Sequence, residues 1–131
     1  DAVIGGAAVA GHANLLNLLD LRPGRALKAA LLHTPLAFSS PAGAIAAAGL
    51  GAGASVLADD LGERTMLGDA GANALGAVLG LALVARSGRA ARLAHLGLVT
   101  ALTLASEKVS FTHVIARTPV LRELDQLGRR R

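Results

Sequence analysis

Residues 29–58 read AALLHTPLAFSSPAGAIAAAGLGAGASVLA and contain no charged side chain. At a helical rise of about 1.5 Å per residue, such a run would extend roughly 45 Å, well past a hydrocarbon core of about 30 Å. It is therefore expected to fold back on itself, and Ser39-Ser40-Pro41-Ala42-Gly43 supplies a turn. A second uncharged run covers residues 70–85. With 53% hydrophobic residues in a chain of 131 and a mean hydropathy of +0.52, these runs predict an all-α, polytopic transmembrane helix bundle. A soluble Ala- and Gly-rich bundle is the competing reading, and the length of the uncharged runs weighs against it.

Upstream of this run, residues 1–13 are small and apolar and lead without a breaker into a first helix expected to end near Leu21. Arg22-Pro23-Gly24-Arg25 then forms a loop, since proline restricts the residue before it and glycine accepts almost any turn. The hairpin should consist of one helix from Arg25 to about Phe38 and another ending near Ala58. Both arms are short for full spans, so Arg25 and Lys28 are expected to snorkel toward the interface. The glycines at 49, 51 and 53 either permit close helix contact in a membrane or loosen the helix.

Downstream, residues 59–69 are polar and acidic, residues 70–85 form a further span, a basic turn follows at 86–89, and a last span covers 90–106. The chain thus divides into a transmembrane domain, 1–106, of about four to five spans, and a basic tail, 107–131. In the tail Thr118 can cap a helix that Pro119 opens, with Leu121, Leu124 and Leu127 on one stripe. This amphipathic helix is expected to dock on its neighbours or on the membrane interface. The first residues already read as the end of an apolar helix, so the chain is expected to belong to a longer polytopic protein. No basic region precedes them, so no signal peptide is visible.

The absence of cysteine removes disulfides and thiolate sites. An aromatic content of 2% removes stacking platforms, so nucleic acid is not an expected partner despite the net charge of +4. The placement of charge is more informative. If two passes separate Asp20 from Asp69, and two more separate Asp69 from the C-terminus, all three lie on one side. That side then holds every basic residue except Arg86, Arg89 and Arg92. The positive-inside tendency makes it cytoplasmic, in a multi-pass protein of the cell membrane. A homo-oligomer is compatible with the small-residue helix faces.

Two polar stretches interrupt the apolar sequence. In Asn14-Leu15-Leu16-Asn17-Leu18-Leu19-Asp20 the polar side chains recur every three residues and stay on one helix face, drifting about 60° per step. Together with a carboxylate from another loop, they would offer the oxygen ligands that Mg²⁺ takes when it bridges to phosphate. Amide bonds to neighbouring helices are the plainer alternative. In Gly68-Asp69-Ala70-Gly71-Ala72-Asn73 a helix opens, with free N–H groups that favour anions and glycines that allow close approach. Here Asp69 reads first as an N-cap. Asp59 and Asp60 could add ligands, but read first as a solvated acidic loop. The histidines look scattered, with His12, His33 and His95 in packing or interface roles and His113 in a polar cluster.

The order of these motifs resembles that of the polyprenyl-phosphate sugar-1-phosphate transferases (glycosyl transferase family 4), which include the phospho-N-acetylmuramoyl-pentapeptide transferase of cell-wall synthesis and its N-acetylglucosamine-1-phosphate relatives. The likeness covers residues 2–86 and is carried by Asn14, Asn17, Asp20, Met66, Gly68, Asp69 and Gly71. It implies Mg²⁺-dependent transfer of a phospho-N-acetylhexosamine from a UDP-sugar to a polyprenyl-phosphate lipid at the cytoplasmic face. By the resemblance Asp20 and Asn17 would be catalytic, Asp69 and Asp20 would hold the metal, and Asn14, Gly68, Gly71 and Asn73 would bind substrate. The chain departs from the family where Leu21-Arg22-Pro23-Gly24 replaces the usual continuation with a second aspartate, and where Ala72 replaces a serine. The family's earlier aspartate pair is not in this chain, and its late histidine loop is not evident beyond His113. A non-catalytic paralogue acting as a membrane binding or assembly protein is the alternative these departures leave.

Overall fold

The computed structural model describes residues 1–129. Among these residues there are eight helices and no strand: α1 (Ala2–Leu19), α2 (Arg25–Leu32), α3 (Thr34–Phe38), α4 (Gly43–Leu61), α5 (Gly68–Ala85), α6 (Arg89–Lys108), α7 (Phe111–Arg117) and α8 (Pro119–Gln126). Three of them, α1, α4 and α5, are long and apolar enough to cross a membrane. At about 1.5 Å per residue, each is close to the roughly 30 Å of a hydrocarbon core.

The centre of the fold is the antiparallel pair α1 and α5. A Cβ at Gly76 would stand 2.7 Å from Ala13 Cα and 3.0 Å from the His12 carbonyl oxygen, and one at Gly80 would stand 3.2 Å from Val9 Cα. These are backbone atoms, so at Gly76 the helices approach more closely than a side chain would permit, and at Gly80 a side chain would fit only tightly. Gly5 faces Val84 at one end of the seam, and Asp20 meets Gly68 at the other. Leu16, Leu27, Leu50, Leu75 and Leu79 fill the core around it.

α6 runs parallel to α1. Arg89 lies beside Asp1, Gly11 faces Val99, and Asn14 donates to Thr103 Oγ1 at 3.2 Å. Charged residues at both ends keep α6 outside the set of helices apolar enough to cross. Ile45, Leu81, Leu98 and Leu104 point outward from α4, α5 and α6, giving the bundle an apolar outer surface.

The return from the Asp20 end to the start of α4 is not the single helix expected over residues 25–38. Pro35 breaks it. Proline has no N–H for the Leu31 carbonyl, and the Thr34 hydroxyl bonds that oxygen instead at 2.6 Å. One residue earlier, the His33 N–H turns to the Ala30 carbonyl, and the His33 ring Nδ1 takes up the freed Ala29 carbonyl at 2.8 Å. The two short helices still carry the chain to the opposite end. There Arg86 donates to the Leu36 carbonyl, and Ser40 Oγ donates to the Ala82 carbonyl at 2.7 Å.

The glycine alternatives in α4 resolve by position. Gly49 faces Leu75 and Val78, Gly53 faces Leu27 and Leu75, and Gly51 faces open space. α4 also runs one turn beyond Ala58. Its buried face, Ala46, Leu50 and Gly53, therefore continues through the partly buried Leu57 to Asp60.

The tail closes over the Asp20 end. Arg25 grips Asp125 with Nε at 2.7 Å and Nη2 at 3.2 Å, and its Nη1 donates to Thr112 Oγ1. Lys28 donates to the Asp125 carbonyl at 2.7 Å, and Arg129 to the Pro23 carbonyl. Arg25 is thus buried rather than snorkelled, because a carboxylate from the tail pairs with it in the two-bonded geometry that guanidinium favours. Burial pushes the Asp125 carboxyl up, but the hydrogen bond from Arg25 and the positive charges of Arg25, Arg129 and Lys28 outweigh it and hold it below the usual range. Thr118 precedes α8, but its hydroxyl bonds back to the Val114 carbonyl instead of capping. Arg130 and Arg131, placed on the basic side by sequence, lie outside the described residues.

Candidate functional site

The two polar stretches meet at one end of the bundle. α1 closes with the Asp20 N–H on the Asn17 carbonyl at 3.0 Å. The Asp20 carboxylate then crosses to α5, where Oδ2 accepts the Gly68 N–H at 2.8 Å. Gly68 has φ +70 and open space around its Cβ position, so glycine is favoured there by the backbone and not by crowding. A free N–H at a helix start is satisfied by a carboxylate that helix α1 delivers. The expected cap was Asp69. Instead Leu67 occupies the N-cap position, Asp69 lies in the first turn, and Asp20 does the capping from another helix.

Asp20 is 5% exposed and Asp60 2%. Burial raises the Asp20 pKa above the ordinary carboxylate value, the Gly68 N–H pulls it back, and the charges of Asp60 and Asp69 push it up further. Beside it opens a cleft of about 470 Å³, lined by Asp20, Leu21, Arg22, Pro23, Asp60, Glu63, Arg64, Thr65 and Met66. Both charges are present in its wall. Arg64 is paired with Asp59, while Arg22 is exposed. Glu63 has φ 57, a left-handed conformation that costs a residue with a side chain roughly 1–2 kcal/mol.

The other residues singled out by sequence divide. Asn17 lies one turn before Asp20, and its Oδ1 is buried without a hydrogen-bond partner. Asn14 is spent on Thr103, the interhelical alternative. Asn73 donates to the Asp69 carbonyl at 2.8 Å, and the Asp69 side chain is exposed outside the cleft lining. Gly71 packs against Leu67, where a Cβ would sit at 3.0 Å.

Asp60 corrects the expectation of a solvated acidic loop. It is buried, and its Oδ2 has no hydrogen-bond partner. The 46-50-53-57-60 helical stripe could have revealed it, had α4 not been ended a turn early. The histidines are also less scattered than their numbers imply. His12, His33 and His95 come from three different segments and converge, with His12 Nδ1 3.1 Å from His95 Nε2 and the His12 and His33 rings 5.0 Å apart, edge to face.

A Mg²⁺ ion commonly uses one or two carboxylates, with water and phosphate oxygens completing the shell. Asp20 and Asp60 are the two buried carboxylates of the cleft wall, and one Asp60 oxygen has no hydrogen-bond partner. Among the described residues no three His, Cys, Asp or Glu side chains form a metal-holding group. Two carboxylates fall short of an all-protein cage, so a cation held there would take its remaining ligands from water or phosphate oxygens.

No protein-family model, curated protein or solved structure matches this chain.

Proposed function

We propose that this chain is the membrane-embedded part of an enzyme that binds a UDP-sugar with Mg²⁺ at the cytoplasmic face and transfers its phospho-N-acetylhexosamine to a polyprenyl phosphate. The observation that carries the reading is the bond from Gly68 N–H to Asp20 Oδ2. It joins the two motifs on which the family resemblance rests, across 48 positions of sequence, at the end of the bundle where most of the basic residues gather.

In this reading α1, α4, α5, the α2–α3 pair and α6 make up to five crossings, the last two being irregular or charged at their ends. The tail helix α8 lies at the cytoplasmic interface. Asp20 would hold Mg²⁺, which when bound neutralises diphosphate charge and polarises the transferring phosphoryl group. Arg22 offers a cation to phosphate oxygens at the mouth of the cleft. Asn17, behind Asp20, would orient it. Asp69 contributes negative potential at the start of α5, and the open space over Gly68 leaves room for a phosphate. The lipid acceptor reaches the site along the apolar outer surface of the bundle.

The test is Mg²⁺-dependent release of UMP from UDP-N-acetylhexosamines by the full-length protein in membranes containing polyprenyl phosphate. Turnover that falls at least a hundredfold in Asp20→Asn, and by far less in the exposed Asp69→Asn, is the expected result. No turnover, with UDP-sugar or lipid-phosphate binding retained, would establish the non-catalytic binding protein instead.

A further inference from the structure

The buried end of α4 carries an oxygen that the fold leaves without a partner. Asp60 is 2% exposed and lines the cleft, and its Oδ2 receives no hydrogen bond. A buried carboxylate oxygen without a donor or cation is costly, and native proteins nearly always supply one. Three cations of this end are committed elsewhere, and Arg22 of the cleft wall is exposed to solvent. Arg64 holds Asp59, Lys28 is turned to the Asp125 carbonyl at 2.7 Å, and Arg25 is taken by Asp125. Asp20, the other buried carboxylate of the wall, uses Oδ2 on Gly68. Two buried acids in one cleft repel each other, and a divalent cation between them turns that repulsion into attraction.

We infer that Asp60 is a ligand for a divalent cation that it shares with Asp20, with the cation's outer face open to a diphosphate in the cleft. The inference rests on reading the cleft as a cation–diphosphate site, but it assigns the second carboxylate to the end of α4 and not to Asp69. A pair of this kind leaves most of the octahedral shell to water and phosphate, so affinity should rise when a nucleoside diphosphate is present.

The experiment is Mn²⁺ titration of the full-length, detergent-solubilised protein by electron paramagnetic resonance, without nucleotide and with excess UDP. Wild type should bind one Mn²⁺, more tightly with UDP. Asp60→Asn should weaken binding at least tenfold, Asp60→Glu should retain part of it, and Asp59→Asn should leave it within twofold. Thermal unfolding of the same proteins gives the folding control: added Mg²⁺ should raise the midpoint of wild type and of Asp59→Asn but not of Asp60→Asn. Asp60→Asn binding Mn²⁺ as wild type does, or wild type binding none under either condition, overturns the inference. Asp60-dependent Mn²⁺ binding without UMP release sinks the transfer reaction and leaves the cation site standing. UMP release that is unchanged in Asp60→Asn does the reverse.

Discussion

The α1–α5 pair has two regions of opposite character on the same two helices. Along the seam, Gly76 and Gly80 bring backbone against backbone, and the core around them is apolar. At the Asp20 end, the pair finishes beside a cleft formed by the adjoining loops and the end of α4, whose wall includes two buried carboxylates, one with an unpartnered oxygen. The seam spends its composition on packing. The end tolerates electrostatic cost that packing alone would remove, and that cost is what the proposed site rests on. The difference teaches that the polar motifs are held in place by small residues well away from them.

The strongest way to break this contrast is to separate the helices. In Gly76→Val the new side chain would meet Ala13 Cα and the His12 carbonyl, which belong to the backbone and cannot rotate away. Overpacking of this kind costs about 3 kcal/mol. The expected outcome is a lower unfolding midpoint together with loss of the Asp20–Gly68 register, read as loss of UDP-sugar binding. A Gly76→Val protein as stable as wild type would mean the seam is not the organising contact.

A smaller effect sharpens the other side. The Asp20 pKa is raised on folding, first by burial, so the folded state holds its proton to higher pH than the unfolded chain does. Stability then falls as pH rises through the interval between the unfolded value of 3.8 and the raised folded value. Ionised Asp20 is a cost at neutral pH when no cation is bound. Asp20→Asn, still able to accept the Gly68 N–H, should therefore unfold at a higher temperature than wild type at neutral pH in chelator, and the gap should close as pH falls below the ordinary carboxylate range. Asp125, held below that range, shifts stability in the opposite sense but is common to both proteins and cancels in the difference. A gap independent of pH would contradict the assignment.

Much of the fold was legible in sequence. The uncharged runs located α4 and α5, Arg22-Pro23-Gly24 located the first turn, and the three-residue spacing of Asn17 and Asp20 placed them on one face. Pro35 was passed over because the hydrophobic pattern continues through it, while the break depends on one missing N–H and on the hydroxyl that replaces it. Asp60 was read as solvated because charge ended the helix on paper, whereas in the fold the apolar stripe Ala46, Leu50, Gly53 and Leu57 carries it inward. The capping of α5 by Asp20 and the convergence of His12, His33 and His95 depend on contacts between distant segments, which no local pattern encodes. The same holds for Arg25, whose partner Asp125 lies 100 positions away.

The central claim is that the end of α1 and the start of α5 form one site on one side of a membrane. The chain has no cysteine, so single-cysteine variants report cleanly. Leu21→Cys and Met66→Cys sit in the cleft wall at exposed positions, and Gly88→Cys sits in the turn at the opposite end. With a membrane-impermeant maleimide on inverted and right-side-out vesicles, positions 21 and 66 should both label from the cytoplasmic side and position 88 only from the other. Labelling of positions 21 and 66 from opposite sides would contradict the shared site and everything built on it.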